Sequence, residues 1–101
     1  MTDDRITVRI DRELEDLIPG YLENRRKDTE SIRQALKKED LEAIRVIGHT
    51  MKGSGGGYGF DRITDIGRTL EEAARSGDKS VILRQTLELS EYLDHIDIIY
   101  E

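Results

Sequence analysis

His49 and Lys52 stand three residues apart, followed at once by Gly53, with Arg45 four residues upstream. On a helix, residues three and four apart share a face. An imidazole titrates near neutrality, so at pH 7 one ring nitrogen is available as a nucleophile. A lysine one turn along can neutralise a phosphoryl group placed on that ring. Gly53 removes a side chain from the adjoining position, so a bulky partner could approach the ring nitrogen in line, and Gly56 leaves the same face bare one turn later. The bland alternative for a lone histidine is a surface residue with no duty.

Other chemistry finds less support. His95 lies among Leu93, Ile96 and acidic neighbours and reads as a helix-flank residue. The two histidines form no metal signature, and neither carries a Glu-x-x-His pairing. The carboxylates are spread along polar faces without an acid/base pair, and Ser54 has no visible triad partner. A phosphate-binding loop would need Gly-x4-Gly-Lys-Ser/Thr, but Lys52 precedes Gly53-Ser54. A dinucleotide fingerprint from Gly53-Ser54-Gly55 would place Tyr58 where the third glycine belongs. Independent catalysis and a cofactor of the chain's own are therefore not expected.

Composition narrows the class further. With 101 residues the chain fits one domain, 1–101, comprising an N-terminal arm over 1–10 and a helical bundle over 11–101. Charged residues make up 38% of it, above the usual share of about 25%, and the net charge is −6. That balance argues against a nucleic-acid footprint. The basic run Arg25-Arg26-Lys27, flanked by acids, reads as a solvated helix face. No cysteine is present, so disulfides and thiolate chemistry are excluded. No leader opens the chain and no apolar run approaches the ~20 residues of a membrane span, so a cytoplasmic protein is expected, with no membrane partner.

The elements that must position His49 follow from periodicity. Residues 5–10 alternate as an extended arm would, but no second strand-like segment is read after them. Asp11 can cap a short helix through Leu17, after which Pro19-Gly20 either breaks the chain or opens the next helix. Leu14, Leu17, Ile18, Tyr21, Leu22, Ile32 and Leu36 form an apolar stripe. Asp40 can cap a helix whose stripe is Leu41, Ile44, Ile47, Gly48, Met51 and Gly55. On that wheel His49 falls roughly 140° from the core centre, and Lys52 points to solvent near the stripe's edge. The helix is expected to continue to Gly56, although Gly57 to Gly59 could be loop. Phe60, Ile63, Ile66, Gly67, Leu70 and Ala74 form a third stripe, ending at Ser76-Gly77, and Asp78 can cap a last helix. That helix shows Ile82, Leu89, Leu93, Ile96 and Tyr100 on one side, with Leu83 and Leu87 on another as if against a second neighbour. The prediction is an all-α, antiparallel four-helix bundle with a short extra N-terminal helix or arm.

The segment His49-Thr50-Met51-Lys52-Gly53-Ser54 resembles the His-x-x-Lys-Gly-Ser core of histidine-containing phosphotransfer (HPt) domains, and of the related domain of chemotaxis histidine kinases. Gly59 falls where that family usually has glycine, and Leu70-Glu71 with Ala74-Arg75-Ser76-Gly77-Asp78 looks like its next helix and turn. The resemblance implies that His49 accepts a phosphoryl group, Lys52 stabilises it and Gly53 gives clearance; the helix wheel places Arg45 and Gly56 on the same, partner-binding face. Tyr58-Gly59-Phe60 is closer to the chemotaxis-kinase variant, in which a carboxylate hydrogen-bonds the histidine; Glu71 is the candidate here. The implied function is a phosphorelay intermediate, expected to be monomeric. It would take a phosphoryl group from a receiver-domain aspartate, or from a histidine kinase, and pass it to another aspartate, with Mg²⁺ on the partner receiver. The rival reading is a helical adaptor that is never phosphorylated.

Overall fold

The computed structural model describes residues 5–101, so the first four residues of the expected arm lie outside the described residues. Four long helices form the body: α1 over Ile18–Lys37, α2 over Leu41–Ser54, α3 over Asp61–Ser76 and α4 over Lys79–His95. Local chemistry accounts for most of their ends. Pro19 lies in the first turn of α1, where its missing N–H costs nothing. The side chains of Asp40 and Asp78 accept the amides of Ala43 and Val81, capping α2 and α4. Gly77, at φ 74°, takes the left-handed position that closes α3. Asp11 caps only a short 3₁₀ turn, Arg12–Leu14, in place of the expected helix through Leu17. Leu17 is itself exposed.

Contacts between neighbours show that sequential helices run antiparallel. Tyr21 of α1 meets Ser54 of α2, Gly48 of α2 meets Gly67 and Leu70 of α3, and Arg62 of α3 reaches Glu88 of α4. The ring closes where Arg26, midway along α1, pairs with Asp94 of α4, and Glu39, in the turn after α1, pairs with Lys79 at the start of α4. Inside lie Ile18, Ile32, Ile44, Met51, Phe60, Ile63, Leu70, Ile82 and Leu89, all essentially inaccessible to water. Their burial supplies the main driving force for the fold.

Three expectations are corrected. A second strand exists: α4 stops at His95, and Ile96–Tyr100 is extended as β2, paired in parallel with β1, Ile6–Ile10. Ile96 and Tyr100 match a helical stripe, but Ile98 joins them in being half-buried while Asp97 and Ile99 are exposed, which is the period of a strand. The last helix does touch two neighbours, α1 and α3, but Leu83 and Leu87 stay largely open to water, at 58% and 57% exposure. Arg25 is not on a solvated face but is buried, with its guanidinium over the Tyr21 ring.

The α2–α3 contact is the tightest in the bundle. A Cβ at Gly67 would lie 2.5 Å from the Lys52 amide nitrogen and 2.7 Å from the Gly48 carbonyl oxygen, and one at Gly48 would lie 2.8 Å from the Gly67 carbonyl. Backbone thus rests on backbone, which only glycine allows. Gly53 differs, because nothing lies within 4 Å of the place its Cβ would take. Gly67→Ala should therefore destabilise the fold by about 1–3 kcal/mol through forced separation of the helices. Gly53→Ala should be neutral or stabilising by up to ~1 kcal/mol. Chemical denaturation of both variants checks this; equal effects would remove the packing argument.

Candidate functional site

Gly48 and Gly67 bring the next turn of each helix together. His49 follows Gly48 on α2, and Glu71 lies one turn after Gly67 on α3, so the glycine contact delivers the carboxylate to the imidazole. Glu71 is 2% exposed, whereas the His49 side chain is 65% exposed. The His49 Nδ1 lies 2.7 Å from Glu71 Oε2, and Lys52 Nζ donates to Glu71 Oε1 at 2.8 Å. A third cation, Arg75 on the following turn of α3, stands 3.7 Å from Oε2.

The carboxyl of Glu71 is pulled from 4.5 down to about 2, first by the Lys52 hydrogen bond and then by His49 and the charges of Lys52 and Arg75, against the opposing effect of burial. At neutral pH it is an acceptor only. The proton on the shared bond must then sit on Nδ1, which leaves the His49 Nε2 lone pair as the ring's unoccupied acceptor.

The other expected residues are placed differently. Arg45 grips Glu42, one turn back on the same helix, with two hydrogen bonds at 2.9 and 2.6 Å. Lys52 does not point to solvent but folds over the buried carboxylate, with 35% of its side chain exposed. Gly53 lies on α2 with open space beside it. Gly56 is not one helical turn further along, because α2 ends at Ser54 and Gly55 caps it. Gly55 packs against Thr64 and the Phe60 carbonyl, and Gly56 enters a 3₁₀ turn, Gly56–Tyr58, with its N–H on Thr64 Oγ1 at 2.8 Å. His95 ends α4 with Nδ1 on the Glu91 carbonyl at 2.6 Å, a flank position. Reasoning from sequence missed Arg75, although it follows Glu71 at i+4 and so shares its face.

The Hpt domain profile matches residues 13–98. The chain belongs to the Hpt domain family. Its four-helix body is the family's architecture, and membership places the domain in histidine phosphotransfer within two-component signalling in general, as a carrier rather than a catalyst. Hpt domains work with response-regulator receivers and histidine kinases. No curated protein and no solved structure matches the chain significantly. Among the described residues, no helix is long and apolar enough to cross a membrane.

Because the Glu71 pKa is depressed on folding, its contribution to stability is fully present above pH 4.5 and is lost as the pH falls toward 2. Stability of the Hpt domain should therefore fall across that window more steeply than that of Glu71→Gln. Urea denaturation at pH 5, 4, 3 and 2 measures the difference, and parallel curves would mean that Glu71 is not held ionised as described.

Proposed function

We propose that His49 is the phospho-acceptor of this Hpt domain, taking a phosphoryl group from a receiver-domain aspartate or a histidine kinase and returning it to another aspartate. The observation that carries the reading is the Glu71 carboxylate, buried under an exposed imidazole and bonded to its Nδ1. In the step from a receiver, the Nε2 lone pair attacks phosphorus, an N–P bond forms, and the P–O bond to the aspartyl oxygen breaks to leave a carboxylate. The ring keeps its Nδ1 proton, and Glu71 stabilises the positive charge the imidazole acquires. Return to an aspartate reverses the same bonds.

Lys52 and Arg75 both rest on Glu71 and can turn to the phosphoryl oxygens once they arrive. Gly53 leaves the approach to Nε2 open, and Gly56 and Arg45 border the surface a partner would cover. The domain needs no cofactor of its own, and the Mg²⁺ and acidic ligands that neutralise charge at phosphorus belong to the receiver.

Incubation with a phosphorylated receiver domain tests the reading. Wild type and His95→Gln should take up acid-labile, alkali-stable label, while His49→Gln should take up none yet keep its helical content and thermal stability. Label on His49→Gln would place the acceptor on another residue, and no label on wild type with any receiver or kinase would favour the adaptor instead.

Lys52→Ala separates charge from nucleophilicity. It should still be labelled on His49, with transfer slower or hydrolysis of the phosphohistidine faster by about tenfold or less, because the lysine is partly solvated. Rates of both steps equal to wild type would make Lys52 a structural partner of Glu71 alone.

A further inference from the structure

The last turn of α2 carries Lys52 and Gly53, and it is the part of that helix least able to hold itself. Gly53 and Gly55 weaken it, each by up to ~1 kcal/mol relative to alanine. Its closing carbonyls also lack partners within the helix. Such an end should fray, yet Lys52 must stay over Glu71.

Two neighbours grip the turn from opposite sides. On the α1 side, the Tyr21 hydroxyl bonds the Ser54 hydroxyl at 3.0 Å, and Arg25 Nη1 donates to the same oxygen at 3.4 Å. Tyr21 is buried, with its ring stacked 4.3 Å from Tyr58 and 5.8 Å from Phe60, centroid to centroid, and the Arg25 guanidinium covers it at 4.6 Å. Arg25 is positioned in turn by Asp28, 2.8 Å from its Nε. Burial pushes the Asp28 carboxyl up, with Arg25 opposing it. On the α3 side, Thr64 Oγ1 donates to the Lys52 carbonyl at 3.2 Å and accepts the Gly56 amide at 2.8 Å. One hydroxyl thereby ties the residue before Gly53 to the turn that follows the helix.

Buried polar groups destabilise a core unless they are satisfied, and satisfied ones restrict a segment to one arrangement. We infer that Tyr21, through Ser54, and Thr64, through the Lys52 carbonyl, are positioning residues of the phosphotransfer site. They form a two-sided clamp that keeps the Lys52 amine on Glu71 beside His49. The inference rests on the reading of His49 as acceptor.

Tyr21→Phe, Ser54→Ala and Thr64→Val each remove hydrogen bonds while keeping shape. Each should slow transfer from a phosphorylated receiver by roughly two- to tenfold, the scale of one net hydrogen bond, with label still on His49 and helical content unchanged. Tyr21→Phe combined with Ser54→Ala should be no slower than the slower single variant, because both remove the same bond. In a Lys52→Ala background the three substitutions should have no further effect, since there is no amine left to position.

Wild-type rates in all three variants, or the same slowing with and without Lys52, would overturn the clamp. Should Thr64→Val fail to fold, the Tyr21→Phe and Ser54→Ala comparison with and without Lys52 decides alone. Absence of label on wild-type His49 would instead sink the acceptor reading.

Discussion

Where α2 crosses α3, main chain lies against main chain at Gly48 and Gly67, and the rest of the site depends on that contact. Helices separated by ordinary side chains keep their axes about 8–10 Å apart. At that spacing a glutamate meets the neighbouring helix at the solvated edge of the contact, as Glu88 of α4 meets Arg62 of α3. Removing two Cβ atoms lets the Glu71 carboxylate pass beneath His49 while staying shielded from water. Gly55 extends the seam against Thr64, so the histidine, the lysine and the end of α2 are all referred to the same face of α3.

One carboxylate then does three things with two oxygens. Oε2 fixes the imidazole tautomer, Oε1 anchors the lysine, and the net negative charge holds Arg75 within reach. A buried carboxylate without partners would neutralise itself by taking up a proton. Here the neighbouring cations keep it ionised, and an ionised partner at Nδ1 leaves Nε2 bare. Packing thus sets which ring nitrogen of His49 keeps a free lone pair, before any partner arrives.

Much of this was readable in the amino-acid order, and the failures have physical causes. Asp40, Asp78 and Gly77 mark helix ends by chemistry confined to one turn, which is why those boundaries were legible. The His49–Lys52–Gly53 spacing lies within one helix and was equally plain. Arg25 misled because its burial depends on the Tyr21 ring one turn away and on Ser54 in another helix, neither of which a run of three basic residues reveals. β2 was misread because residues four apart share a face in both a helix and a strand. Ile96 and Tyr100 satisfy either pattern, and only Ile98 discriminates. Its pairing partner, β1, lies at the far end of the sequence. Glu71 was named through resemblance, but its depth and its second partner follow from the glycine seam and required the three-dimensional arrangement.

The parallel ribbon of β1 and β2 has a mechanical consequence. The chain enters it beside Ile6 and Ile96 and leaves it beside Ile10 and Tyr100. Tension drawn between the segment before Ile6 and the segment after Tyr100 would pull the two strands along their length in opposite directions. Every rung of the ladder would bear load together, in shear, where an antiparallel hairpin pulled at its open end would unzip one rung at a time. The four helices lie between those two grips in sequence, so a stretched domain would keep its helical body slack until the ribbon gives way.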